Sequence, residues 1–375
     1  MYKILLLGGG LQGLSFGESF YKKKDYEVSV VSNSYDIRKS CLFKTVYKED
    51  DDLDVTVRAV LDSERFDLIV PMGDVSVAYL SNNKEKIEED YHVKCAVVDK
   101  EILSVVADKS VFMAFCKEHG FPHPITQFIT ESEIENVAVK VGFPSLIKPD
   151  FSVGARGITK VHSMEEFKTL YPRIHAKYGS CSLQEFVDNP DYYYNVMMYR
   201  DASGQSMSTV IKIVRKYPIK AGSSSCCIGV VNPELTSLCR EVLDCLNWVG
   251  MADFDVLQCL DTMEYKIIEI NPRVPASLRA AYVSGVDFPQ IIVNDAVGKP
   301  FPETNYKPGK VLRYMGIDVL WFMKSPDRFK SSPSWFSFWG KDIFYQDIIL
   351  NDRSTWYTWF VKGIQKLSHR NRTHR

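Results

Sequence analysis

GFPSLIKPDFSVGARG, residues Gly142 to Gly157, is the stretch on which the reading of this chain turns. Phe143 to Ile147 is a short apolar run ending in Lys148 and Pro149, the pattern of a buried strand that delivers one cation to a cleft. Asp150 then leads into Ser152, Val153, Gly154, Ala155, Arg156 and Gly157, a small and bendable segment. Glycine lets the backbone approach a ligand closely, and successive N–H groups can cradle phosphate oxygens. The segment reads as a clamp for a triphosphate. A hairpin turn with one incidental lysine is the competing reading.

The second chemical stretch lies downstream. Met251 to Leu257 alternates Asp253 and Asp255 with apolar residues, and after a turn at Asp261–Thr262 the chain returns through Tyr265 to Ile270 into Glu269-Ile270-Asn271-Pro272-Arg273. Residues two apart on a strand share a face, so Glu269 and Asn271 point one way and Asp255 of the neighbouring strand can meet them. Two carboxylates and an amide oxygen form a hard, all-oxygen set suited to Mg²⁺, with phosphate oxygens completing the shell. The bland alternative leaves Asp253 or Asp255 on a solvated face and pairs Glu269 with Arg273.

Between these stretches, Cys181 to Val187 reads as a strand, and Tyr192 to Tyr199 pairs with Ser206 to Val214 through a turn at Asp201–Gly204. Arg215, Lys216 and Lys220 follow, and then a second glycine-serine loop, Ala221 to Ser225. Three clustered cations belong on a wet surface or facing an anion. Val161 to Leu170 and Pro233 to Leu246 carry helical periodicity.

At the amino terminus, Tyr2 to Leu7 enters Gly8-Gly9-Gly10-Leu11-Gln12-Gly13 and a helical pattern through Phe20. The spacing satisfies a dinucleotide fingerprint, but the second strand, Glu27 to Val31, ends in Ser32 and Asn33, not in the acid that would hold a ribose. Strands at Asp67 to Val70 and Lys94 to Val98 complete a small parallel α/β unit through about residue 104.

The chain has 375 residues, with 45% hydrophobic and 25% charged residues and a formal net charge of -1. That balance suits a soluble globular enzyme or binding protein and gives no reason to expect nucleic acid as a partner. Nine cysteines without a CxxC pair suit a reducing compartment, and no apolar run is long enough to span a bilayer, so a cytoplasmic location is expected. Beyond a Pro/Gly-rich interval at 298–309, Val311 to Phe322 reads as a strand, followed by Trp335, Phe336, Phe338 and Trp339. The last twenty residues, 356–375, join aromatic residues to Lys362, Lys366, Arg370, Arg372 and Arg375. A docking helix with a solvated basic end is the simpler reading of this tail, and contact with a membrane surface or anionic polymer is the other.

Five segments in this order, DKSVFMAFCKEHGFPHP, FPSLIKPDFSVGARG, LQEFVDNPDYYYNV, GMADFDVL and YKIIEINPR, resemble the ATP-grasp superfamily, especially its carboxylate–amine and carboxylate–thiol ligases. The resemblance, which extends to carbamoyl-phosphate synthase and biotin carboxylase, covers roughly Lys100 to Val297. It implies an α/β fold: an amino-terminal parallel subdomain (1–104), a two-part grasp domain with mixed and antiparallel sheets (105–300, with 137–187 as a mobile lid) and a carboxy-terminal extension (301–375).

By the same resemblance Lys109 and Lys148 contact ATP phosphates, and Ser152, Val153, Gly154, Ala155, Arg156 and Gly157 form the loop over the β- and γ-phosphates. Gln184, Glu185, Phe186 and Val187 take the adenine edge and Asp191 the ribose, where Glu is more usual. Asp255, Glu269 and Asn271 match the Mg²⁺ set, with Mn²⁺ as an alternative ion. Arg273 corresponds to the residue that stabilises an acyl phosphate, and Arg215 is a candidate for the acceptor carboxylate or transferred phosphate. The implied activity is ATP-dependent joining of a carboxylate to an amine, with small-molecule substrates and a homodimer as one assembly. A nicotinamide-dependent oxidoreductase built on Gly8–Gly13 and a non-catalytic Mg–ATP sensor are the rival functions.

Overall fold

The computed structural model describes residues 1–150, 157–219, 222–349 and 351–356. The amino-terminal unit is a parallel sheet whose strands lie in the order Val46–Tyr47, Tyr26–Val31, Tyr2–Leu7, Leu68–Pro71, Lys94–Cys95. Helices pack on both faces, which explains why Ile4, Leu5, Leu6 and Leu7 form an unbroken buried run instead of alternating. The chain builds outward on one side of Tyr2–Leu7 and then crosses to the other. Its order therefore reverses between Tyr2–Leu7 and Leu68–Pro71, and a crevice opens at the carboxyl ends of these strands.

A four-stranded antiparallel sheet follows, ordered Thr126–Phe128, Cys181–Glu185, Ser145–Pro149, Thr159–Val161. Helices Ile134–Val141 and Met164–Tyr178 cover one face through Val137, Ile147, Val161, Phe167, Tyr171 and Leu183. The helix expected from Val161 begins at Met164, because Ser163 caps it by accepting from the Glu166 N–H. Val161 instead completes the Thr159–Val161 strand.

The third unit is a seven-stranded sheet in the order Tyr265–Asn271, Gly250–Gln258, Tyr193–Arg200, Ser206–Tyr217, Ser223–Val230, Val311–Arg313, Ile343–Tyr345. Its pairs are antiparallel except the last. One face carries Tyr194, Val196, Met198, Ala252, Phe254 and Val256 against Leu235, Cys239, Val242 and Leu243 of the helix Pro233–Cys245. The other face presents Tyr193, Asn195, Asp253 and Asp255.

Two local readings change. The expected glycine-serine loop is, from Ser223 onward, an internal strand: Cys226 and Cys227 are buried and paired on both sides. The strand expected over Val311 to Phe322 stops at Arg313, and a helix runs from Met315 to Lys324. Asp347 accepts the N–H groups of Met315 and Gly316 and so satisfies the first turn of that helix. The strands Val311–Arg313 and Ile343–Tyr345 extend the central sheet beyond residue 301.

Candidate active site

Register builds the acidic half of the site. Asp253 lies opposite Asn271 and Asp255 opposite Glu269, so all four side chains leave one face of the sheet. Asn195, opposite Asp255 on the other side, donates to Asp255 Oδ1 at 3.2 Å. Burial raises Asp255 well above the ordinary carboxylate value, and the nearby carboxylates of Glu269 and Asp253 add to the rise. Burial likewise pushes Asp253 up to about 7, against the pull of Arg273. Asp253 Oδ1 and Asn195 Oδ1 are buried without a hydrogen-bond partner. A face of buried acceptors with unmet capacity fits a hard divalent cation. Among the described residues no three His, Cys, Asp or Glu side chains already form a metal cage. The Asp255, Glu269 and Asn271 set includes only two carboxylates and an amide, and so leaves part of the shell to a ligand's oxygens.

The basic half comes from two other elements. Asp108 caps the helix Lys109–Glu118 through the N–H groups of Ser110 and Val111, which fixes Lys109 at its first position. Lys109 Nζ reaches 3.9 Å from Glu269 Oε2. Lys148, on Ser145–Pro149, is buried and donates to Gln184 Oε1, and Gln184 in turn donates to Thr126 Oγ1 at 2.9 Å. Burial lowers Lys148 to about 8, with Glu269 and Asp255 among the charges that act on it. The lysine delivered by the opening stretch thus faces the carboxylates of the second.

Other expected residues are placed as follows. Glu185 accepts from Lys266 Nζ at 2.6 Å and from the Ile125 N–H at 2.9 Å, which commits its carboxylate to bracing. The Phe186 ring is covered by Lys160 Nζ at 3.2 Å, and Val187 is buried. Ser152, Val153, Gly154, Ala155 and Arg156 lie outside the described residues. Gly157 sits at φ +80°, where a Cβ would lie 2.8 Å from Tyr178 Cε2 and 2.9 Å from Pro149 Cγ; no side chain fits there.

Arg273 is not paired with Glu269. Its Nε donates to Asp74 Oδ1 at 2.6 Å and its Nη2 to Asn271 Oδ1 at 3.4 Å. Asp74 opens the helix Asp74–Tyr91 beside the reversal crevice, so this contact ties the amino-terminal unit to the end of the strand that carries Glu269. Arg273 also lines a crevice with Pro71, Val97, Tyr199 and Met251.

Arg215 departs from the expectation. Ile213 pairs with Cys227 but Arg215 pairs with Cys226, so one extra residue lies between them on this strand, and a second irregularity on the partner strand restores the register at Lys216 and Ser224. Without the extra residue Ile213, Arg215 and Tyr217 would share a face. With it Arg215 turns away from the cleft into a buried contact with Asp318, and it cannot meet an acceptor carboxylate or a transferred phosphate there. Lys216 takes the cleft side instead, with its Nζ 5.6 Å from the centre of the Tyr193 ring. Burial lowers its pKa, against the pull of Asp191. Sequence reasoning passed over Tyr193, Asn195 and Asp74, and it named Lys216 only within a cation cluster on a wet surface or facing an anion. Alternation from Asn195 through Tyr193 was the available signal for two of them, whereas the bulge and the inter-unit contact have none.

Residues 106–277 match the ATP-grasp domain family. The chain is 25% identical to a D-aspartate ligase of Enterococcus faecium over 70% of this chain and 67% of that protein. It is 24% identical to the amino-terminal section of the carbamoyl phosphate synthase large chain of Methanopyrus kandleri, over 64% of this chain and 45% of that one. In structure it is similar to a biotin carboxylase β,γ-ATP complex from Campylobacter jejuni, with a TM-score of 0.70 at 16% identity over 82% of this chain and 74% of the other.

Proposed function

The chain belongs to the ATP-grasp superfamily, and from that premise we propose that it is a ligase that activates a substrate carboxylate with ATP and joins it to an amine, releasing ADP and phosphate. The observation that carries the reading is the approach of Lys109 and Lys148, from two separate elements, to the carboxylates Glu269 and Asp255. Two cations opposite a face of carboxylate and amide oxygens is an arrangement that suits a metal-bound polyphosphate.

A carboxylate is a poor electrophile because its leaving group would be oxide. Its oxygen attacks the γ-phosphorus, the bond to the bridging oxygen breaks, and ADP departs with that electron pair. The resulting acyl phosphate has a stable leaving group. The amine nitrogen then attacks the acyl carbon, phosphate leaves, and the amine's proton passes to phosphate or solvent. Lys109 and Lys148 would bind the phosphate oxygens, and Arg273 would orient the acyl phosphate. Gln184, Glu185, Phe186 and Val187 would hold the adenine and Asp191 the ribose. Ser152 through Gly157 would cover the phosphates and exclude water from the intermediate. Mg²⁺, or Mn²⁺ in its place, would be held by Asp255, Glu269 and Asn271 and would supply neutralisation of phosphate charge.

ADP release from Mg–ATP against a panel of amino acids, dipeptides and small organic acids tests the proposal, with Lys148→Ala as control. D-Aspartate heads the panel because one relative is a ligase of that acid. Release that requires both an acid and Lys148 supports the activating half-reaction. ATP binding with silence across acids and amines favours a nucleotide sensor.

A further inference from the structure

Arg215, Arg313 and Asp318 form a buried network that the ligation chemistry does not use. Arg313 donates to Asp318 Oδ2 through Nε at 2.9 Å and Nη2 at 2.8 Å, beside the two contacts from Arg215. Both guanidinium groups also reach outward to one loop: Arg215 Nη1 donates to the Pro333 carbonyl at 2.8 Å and Arg313 Nη1 to the Ser337 carbonyl at 2.7 Å. Trp335 Nε1 donates back to the Asp318 carbonyl at 3.2 Å, and the Tyr345 hydroxyl donates to the Phe338 carbonyl. Arg313 lies 4.8 Å from the centre of the Phe338 ring, and Trp335 stacks on Phe322 at 4.1 Å.

A loop fastened at four backbone or ring positions displays its remaining side chains in place. The large ones among them are aromatic. Trp339 is 88% exposed, Phe329 71% and Phe336 55%, and Val319 and Met323 add to the outer side of the helix Met315–Lys324. An apolar cluster of this kind marks a contact surface.

Charge identifies the partner. Residues 319–341 carry Lys324, Arg328, Lys330 and Lys341 against the single acid Asp327. The whole chain carries -1, so this segment is more positive than the chain as a whole. At protein–protein interfaces lysine is depleted from the contact core, whereas here cations interleave with the rings. Aromatic rings among Lys and Arg suit the headgroup level of a bilayer, where the rings enter the interface and the cations meet anionic lipid. None of the described helices is long and apolar enough to cross a membrane, so contact would be peripheral.

We propose that the aromatic–basic face at residues 319–341 docks this protein on the surface of an anionic lipid bilayer. The test is co-sedimentation of the full chain with phosphatidylcholine vesicles with and without phosphatidylglycerol. The expected result is binding that needs the anionic lipid, weakens with salt and falls by about tenfold or more in a Phe329→Ser, Phe336→Ser, Trp339→Ser variant. The thermal shift with Mg–ATP should be retained by that variant and so reports its folding. If the triple variant does not fold, Trp339→Phe in the otherwise native chain serves, with loss of the fluorescence component quenched by brominated lipid as the expected result. Four outcomes would overturn the proposal: no binding to anionic vesicles at low salt, undiminished binding by the folded triple variant, self-association that the same substitutions abolish, and capture by an anionic polysaccharide but not by vesicles.

Discussion

Arg215 and Asp318 form a two-pronged ion pair closed to solvent, with Nε to Oδ1 at 2.8 Å, Nη2 to Oδ2 at 3.0 Å and both side chains at 0% exposure. Three elements meet in it: the bulged strand Ser206–Tyr217, the helix Met315–Lys324 and, through Arg313, the strand Val311–Arg313. The pair therefore couples the grasp sheet to the carboxy-terminal segment.

Removing Asp318 strands two buried guanidinium groups, which costs about 3–5 kcal/mol, whereas removing Arg215 leaves Asp318 paired with Arg313 and costs less. Asp318→Ala should lower unfolding free energy by about that amount and Arg215→Ala by less, and the double variant should lose less than the two singles combined. Urea unfolding of the four proteins checks this. An Arg215→Ala protein of native stability with a weakened affinity for the acid substrate would return Arg215 to a recognition role.

Much of the site was legible because short-range rules govern it. The alternation of Asp253 and Asp255, the run into Glu269 and Asn271, and the apolar strand ending in Lys148 need only the period of a strand. The structure keeps each of these on the expected type of element. Arg215 was not legible, because an irregularity on each side of it turns its side chain away from the face of Ile213, and composition does not announce a bulge. Asp74 was hidden for a different reason: its partner Arg273 is nearly two hundred residues away, and only the packing of the two units brings them together.

Glu269→Gln keeps the size of the side chain and one acceptor oxygen but removes the charge. Turnover with Mg–ATP should fall by about 10²-fold or more while the thermal midpoint stays near native. Steady-state rates across a Mg²⁺ titration check this. Unchanged Mg²⁺ dependence would sink the metal assignment.

Asp253 has a pKa raised from 3.8 to about 7 by burial. A carboxyl with a raised folded value binds its proton more tightly when folded, so its contribution to stability is full below about 4 and is lost as pH rises through about 7. In EDTA, the native protein should lose stability between those values, and Asp253→Asn should flatten that loss. Mg²⁺ should flatten it too, by binding the ionised cluster. Denaturant titrations at several pH values read the slope, and a metal-free native profile as flat as that of the variant would refute the assignment.

Lys148 supplies a separate pH signature. Burial lowers it to about 8, so in the nucleotide-free protein it gives up its proton above that value. Phosphate beside the amine restores the proton, and nucleotide binding between about 8 and the ordinary lysine value of 10.5 should therefore take up protons. Calorimetry in two buffers of different ionisation enthalpy measures the uptake. Lys148→Met should abolish it, and proton-neutral binding by the native protein in this range would show that Lys148 does not meet the phosphates.

Lys216 and Arg215 are neighbours on opposite faces of one strand, and substitution should separate them by kind of effect. Lys216 lies over Tyr193 on the face that carries Asp255, with Asp191 close enough to pull on its charge. Lys216→Ala should weaken nucleotide affinity by about tenfold, through loss of one charge-assisted contact, with little change in unfolding free energy. Arg215→Ala should do the reverse. Equilibrium binding and urea unfolding on both variants decide the matter. If Lys216→Ala proves the less stable of the two and binds nucleotide normally, the bulge does not turn Lys216 toward the cleft, and the assignment of faces after Ile213 falls with it.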